Sequence, residues 1–280
     1  MSIDGFAESI FAELDKFGLS AVAEKKQEVF KLDPKTQKTE QQKEVHKFNI
    51  DDFVYTKNFT CPVCGQNFMA NVVRESKIRV DSIEFDLRPI CSPIDPMLYN
   101  VVVCESCGYS AVNKAFNKIT GRQSEIILSE ISPNFKPIPY PKEPTVEMAI
   151  ERYKLALLNA LVKNAKDGEK AYICMKITWL YRIKGNELPN EKKFADLTVK
   201  GFTNALAKEF PPIMSLEEST ILCLLGAFLM FLGDNESALR ILSDLIVSKK
   251  SSERLKDRAR DLKNEIIAAK LLANKNGPEP

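Results

Sequence analysis

Two short motifs, Cys61-Pro62-Val63-Cys64-Gly65 and Cys104-Glu105-Ser106-Cys107-Gly108, constrain this chain more than anything else in it. Each reads as a tight turn that presents two sulfurs to one point. The glycine after the second cysteine can take positive φ, which lets backbone N–H groups turn toward the thiolates. Two such turns complete a tetrahedron. Zn²⁺ accepts four thiolates at about 2.3 Å with no geometric demand from its d electrons, and binding supplies about 10 kcal/mol or more to a module too small to fold on its core alone. The sequence therefore predicts a structural zinc ion held by Cys61, Cys64, Cys104 and Cys107. The 39 residues between Cys64 and Cys104 exceed the usual spacing of about 15 to 20, so the intervening strands form a larger insertion than a minimal ribbon has. The competing reading, a pair of redox dithiols, would want a strand-to-helix setting that neither motif shows.

The same four sulfurs argue against an enzyme, since a shell of four thiolates leaves no position for water or substrate. His46, the one histidine, falls in a polar stretch and reads as a solvated bystander, so no Ser-His or Cys-His nucleophile pair assembles around the motifs. The 11 glycines include none in a phosphate-cradling spacing. Cys91, in the loop RPICSPIDP, reads as a small buried apolar group with a lesser possibility of being a spare ligand; Cys174 and Cys223 fall on apolar helix faces. The formal charge of +2, from 40 Lys plus Arg against 38 Asp plus Glu, supplies no strong field for nucleic acid or anionic lipid. The longest apolar run, residues 221–232, is about half of the roughly 20 residues a membrane span requires. Asp4, Glu8 and Glu13 precede the first lysine, unlike a secretory leader, and the expectation is a cytoplasmic chain.

Three stretches of different texture follow. Residues 1–57 open with Ile3, Phe6, Ala7, Ile10, Phe11 and Leu14 at helical spacing, then become a polar tether over residues 31–47. That first helix is expected either to pack on its own protein or to dock a partner. Residues 58–143 have strand texture: Asn71 to Val73, then Ile78, Val80, Ile83, Phe85 and Leu87, then Tyr99, Val101 and Val103, broken by prolines and closing on a proline cluster at 133–144. Residues 144–280 read as helix throughout, interrupted at Gly185, Pro211-Pro212 and Gly233, with Ser215 and Glu218 proposed as a capping box. Leu222, Leu225, Gly226, Leu229, Gly233, Ala238, Leu242 and Leu245 reproduce the spacing of a tetratricopeptide helix pair, and a looser unit runs from Ala171 to Phe202. A plain helical bundle is the alternative. The last helix, Leu255 to Ala269, reads as a terminal cap. The fold class expected is α+β: a small zinc-ribbon-like β module followed by an all-α tetratricopeptide-like helical array.

Cys61-Pro62-Val63-Cys64-Gly65, Phe68, Val73-Arg74, Ser76-Lys77, Asp86, Pro96, Tyr99, Val103-Cys104 and Cys107-Gly108-Tyr109 together resemble the bacterial domain-of-unknown-function family 2225. The resemblance covers about residues 55 to 270. It implies a zinc-ribbon-like segment followed by tetratricopeptide-like helices, with Cys61, Cys64, Cys104 and Cys107 as ligands, and it implies no activity. Three functions are then weighed. The first is a non-enzymatic interaction or scaffold protein that takes a protein or peptide partner on its helical domain. The second is nucleic-acid binding through Arg74, Lys77, Arg79 and Arg88, with Phe68 and Tyr109 as stacking faces, although residues 61–143 carry nine basic and nine acidic side chains. The third is a thiol-based redox or metal sensor whose oxidation ejects zinc. Membrane binding is not expected, and the oligomeric state is not legible.

Overall fold

The computed structural model describes residues 49–275. The expected N-terminal helix, the whole polar tether at residues 31–47, His46 and the last five residues lie outside the described residues. The architecture is α+β: three antiparallel hairpins first, then packed helices. The strands are β1 (Val54–Thr60) with β2 (Asn67–Val73), β3 (Arg79–Ile83) with β4 (Pro89–Ser92), and β5 (Val101–Val103) with β6 (Ser110–Val112). The helices are α1 (Asn113–Phe116), α2 (Gly121–Glu130), α3 (Val146–Val162), α4 (Asp167–Lys184), α5 (Leu188–Lys208), α6 (Glu218–Leu232), α7 (Asn235–Val247) and α8 (Glu253–Lys275).

The three hairpins differ in burial. Every residue of β5 and β6 is buried, because this pair lies against α3. The β1–β2 hairpin buries only Val54, Phe68 and Val72, and no residue of β3 is buried. A two-stranded hairpin with so little apolar cover is marginal in water on its own. Aromatic contacts tie the β1–β2 hairpin to the β5–β6 hairpin and the helix α1 that follows it: Phe59 stacks on its cross-strand neighbour Phe68 at 5.8 Å, and both rings lie 6.0 Å from Phe116. Phe116 in turn lies 5.1 Å from Tyr109.

The helical region is divided where Gly185, Pro211-Pro212 and Gly233 predict. Gly185 (φ 70°) and Gly233 (φ 90°) cap α4 and α6 in the left-handed half of the backbone map, where a side chain would be strained. Small residues set the helix spacing: a Cβ on Gly201 would sit 2.7 Å from the Ala171 Cβ, and one on Gly226 2.5 Å from Leu242. Thus α4 meets α5, and α6 meets α7, at close range.

Two expectations need correction. Ser215 does not cap α6; it takes φ 62°, and the helix begins after Glu217, which makes no side-chain cap hydrogen bond. The isolated bridge between Ile213 and Leu216 holds Ser215 in a tight turn instead. The capping box sits at α2, where Thr120 accepts from the Gln123 backbone and the Gln123 side chain accepts from Thr120. Residues 58–143 also hold helix, α1 and α2, where only strand was expected. The proline cluster does run as irregular chain between α2 and α3, but it is not a loose linker. Tyr140 donates to the Leu98 carbonyl at 2.6 Å and Tyr99 to the Lys142 carbonyl at 2.9 Å, strapping it to the β region. One cluster of buried residues continues across this strap, from Cys61 and Phe68 to Phe228.

Candidate metal centre

Each cysteine pair lies at the tip of a hairpin, and the two tips are built alike. Cys61 N–H donates to Gln66 O at 2.9 Å and Gly65 N–H to Cys61 O at 2.9 Å; Cys104 N–H donates to Tyr109 O at 2.8 Å and Gly108 N–H to Cys104 O at 2.9 Å. Gly65 and Gly108 both take φ 74°. This is the turn that the Cys-x-x-Cys-Gly pattern demands: the glycine reverses the chain so that backbone N–H groups face the sulfurs, as Val63 N–H faces the Cys61 sulfur at 3.4 Å.

The tips converge. The Cys61 and Cys107 sulfurs lie 3.7 Å apart, those of Cys64 and Cys104 lie 3.6 Å apart, and all four fall within 4.8 Å of one another. All four are free cysteines, well outside the S–S distance of about 2.05 Å for a disulfide. A sulfur tetrahedron around Zn²⁺, with bonds of about 2.3 Å, has edges of about 3.8 Å. The two closest pairs match that edge, and both join one hairpin to the other. Cys61, Cys104 and Cys107 are buried and Cys64 is half-buried.

Four sulfurs this close cannot all ionise without a cation. Its neighbours Cys107 and then Cys61 hold the Cys104 thiol well below the ordinary thiol value. The same exchange pushes Cys61 up to about 12, through its bond with Cys104, and raises Cys107 as well. One thiolate is stabilised by its neighbours' S–H groups, and further negative charge calls for a positive ion at the centre. The donor set fits a closed site for a thiophilic metal: four sulfurs, no oxygen or imidazole ligand among the described residues, and backbone N–H groups behind them.

The second tip is also braced by groups that the motif does not reveal. Ser132, after α2, donates to the Cys107 carbonyl at 2.8 Å. Buried Asn159 on α3 places its side-chain nitrogen 3.2 Å from the Gly108 carbonyl and 2.9 Å from the Ser110 hydroxyl. The sequence does carry a signal for Asn159, a lone amide inside the apolar run LALLNALV; nothing local singles out Ser132.

The other cysteines stand apart from the centre. Cys174 and Cys223 are buried in helices, as expected, and burial pushes their thiols up to about 12 and about 11. Cys91 is half-buried on β4, outside the sulfur cluster, with its thiol raised by burial. Of the residues considered for nucleic-acid contact, Arg74, Lys77 and Arg79 are exposed. Phe68 and Tyr109 are buried in the aromatic cluster, and Arg88 is engaged by Glu84 at 2.9 Å and Asp95 at 3.3 Å. Neither ring presents a stacking face, because both are needed to join the hairpins.

The 39-residue spacing between Cys64 and Cys104 is explained by what the insertion holds. The loop between β3 and β4 reaches the helices. Arg182 on α4 contacts Glu84 at 2.7 Å, fully buried Asp86 at 2.9 Å and Glu191 of α5 at 2.7 Å. Trp179 donates to Asp86 at 2.9 Å, and Arg258 of α8 donates to the Glu84 carbonyl at 2.6 Å. The insertion is a docking arm.

Among comparisons with known proteins, the family described as "Uncharacterized protein conserved in bacteria (DUF2225)" matches residues 54–266. No curated protein matches the chain, and no solved structure does.

Proposed function

This chain belongs to that uncharacterized bacterial family, and on this footing we propose that it is a cytoplasmic, non-enzymatic interaction protein in which one structural zinc ion fixes a β module against a tetratricopeptide-like helical array. The carrying observation is the set of four sulfurs within 4.8 Å of one another, which fills a tetrahedral shell and leaves no position for a reactant. A tetrahedral set of four sulfurs suits zinc or iron, and zinc is the reading proposed because a closed four-cysteine shell is the usual form of a structural zinc site. The repeat assignment rests on the close approach of α4 to α5 at Gly201 and of α6 to α7 at Gly226. Among the described residues no helix is long and apolar enough to cross a membrane.

A protein or peptide partner is favoured by apolar side chains left uncovered at the end of the array, Ile267, Leu271 and Leu272 on α8, the last two more than half exposed. Half-buried Cys64 gives an oxidant access to one ligand and supports the runner-up, a thiol-based sensor. Native mass spectrometry should find one zinc per chain, and cobalt substitution should give the intense thiolate-to-metal bands of a tetrahedral four-sulfur site; no metal, or bands of an open mixed-ligand site, refutes the metal assignment. Capture from a bacterial lysate should retain a defined partner that Leu271→Asp loses. Zinc release by mild peroxide, reversed by thiol, would move the assignment to the sensor.

A further inference from the structure

A cavity of about 230 Å³ opens where the insertion meets the helical array. It lies apart from the four sulfurs. Its walls come from the end of β2, Arg88 and the first residues of β4, the turn Pro96–Tyr99, the start of α1 and α4. The volume is below the 300–1,000 Å³ typical of drug-sized ligands, so its occupant is compact.

The charges on those walls are unequally satisfied. Lys176 of α4 reaches the cavity with its ammonium 4.1 Å from the Trp179 ring centre and 5.3 Å from that of Tyr172, and no carboxylate or other hydrogen-bonding group among the described residues meets it. Lys114, beside the cavity, lies 3.7 Å from the same Tyr172 ring and donates to the Met214 carbonyl, so a second cation stands near Lys176. Arg88, itself nine-tenths buried, is paired through its terminal nitrogens with Glu84 and Asp95, but its Nε has no partner. Of the acids on the walls, Asp95 spends one oxygen on Arg88 and the other on the Met97 N–H at 2.9 Å. Glu75 is exposed at the rim. An ammonium held partly out of water without a counter-ion is costly and either loses its proton or acquires an anion. Burial, with the nearby Lys114 charge, pulls Lys176 down to about 7, which marks the same deficit.

We propose that this cavity is a binding site for a small oxyanion-bearing ligand, a carboxylate or phosphate compound, held by Lys176 with Arg88 and Asn113 completing the polar wall. Rings at Trp179 and Tyr99 supply the apolar sides. Such a ligand spans the docking arm and α4, so its binding clamps the insertion to the helical array.

The test uses the full metal-loaded chain with inorganic phosphate and with succinate, read by calorimetry and by the shift in melting temperature. Saturable binding of either, weakened at least tenfold by Lys176→Met, retained by Lys176→Arg and unaffected by Arg122→Met on the exposed surface, establishes the site. Preference for one probe identifies the class of oxyanion. Lys176→Met removes an uncompensated charge and keeps the side-chain length, so it folds at least as well as the parent; its melting temperature without ligand checks this. No saturable binding of either probe up to about 10 mM, weaker than a millimolar site would allow, or binding that survives Lys176→Met unchanged, overturns the proposal.

Discussion

Gly65 and Gly108 hold equivalent places at the two hairpin tips, with the same φ of 74°, yet their surroundings differ. A Cβ added at Gly65 meets nothing within 4 Å, whereas one added at Gly108 would lie 2.5 Å from the Phe135 ring. Forcing a residue with a side chain into left-handed backbone costs about 1–2 kcal/mol. Gly65→Ala should lose about that much and keep its metal. Gly108→Ala adds overpacking of about 1–3 kcal/mol on top, because Phe135, in the strap after α2, packs directly against the tip of the β5–β6 hairpin. Urea unfolding of the two metal-loaded variants compares them directly; equal losses would mean that Phe135 moves freely. Asn159 is the second single-residue case. Asn159→Leu preserves size but leaves the buried Ser110 hydroxyl and the Gly108 carbonyl without this donor, at a cost of about 1–3 kcal/mol. Its effect should appear as a weaker hold on the Cys107 side of the site, seen as faster metal transfer to a chelator.

The β3–β4 hairpin shows what single elements add and why sequence reading stops short of them. Its strands bury nothing in β3, so its place depends on the ion pairs of its loop with Arg182. Removing one partner from a buried ionic group costs about 3–5 kcal/mol, since the remaining charges stay behind without compensation. Arg182→Met should lose stability on that scale. Burial already raises the Glu191 carboxyl above its ordinary value, with Arg182 opposing the shift. A raised native pKa means that the native state holds the proton longer than the unfolded chain, so stability from this group is gained below the unfolded value near 4.5 and lost as pH rises. The deficit of Arg182→Met should therefore be larger at pH 7 than at pH 4.5 in denaturation curves; a deficit independent of pH would show that Glu191 is not part of the network. None of this is legible from Glu84, Asp86 or Arg182 in the sequence, because ion pairs between residues about a hundred positions apart leave no local period. The four cysteines, the glycine stops of α4 and α6 and the helix faces were legible, since spacing alone specifies them. Helix α2 was hidden behind a weak apolar pattern, and Ser215 misled because a bridge between Ile213 and Leu216 outcompetes a capping box.

At the scale of the whole molecule, the four-cysteine cluster, and the ion proposed for it, joins two unequal partners. The β5–β6 hairpin is buried throughout and is continuous with the core that runs on through α3 to Phe228, and its tip is braced by Ser132 and Asn159. The β1–β2 hairpin has mostly exposed strands and is held by the ring contacts of Phe59 and Phe68 and by its two sulfurs. Aromatic pairs of this kind add about 0.5–1.5 kcal/mol each, well below the roughly 10 kcal/mol available from a structural zinc ion. Removing the metal therefore releases the weaker partner first. Hydrogen exchange after chelation should show protection over residues 54–73 falling by about a hundredfold or more, while residues 101–112 and the helices keep most of theirs. The melting transition of the helical array should move down only modestly, because its core does not depend on the first hairpin. Uniform loss of protection through α3 to α7 would instead mean that the ion holds the entire chain together. Unchanged protection over residues 54–73 would mean that the aromatic cluster alone suffices and that the four sulfurs contribute nothing to the fold.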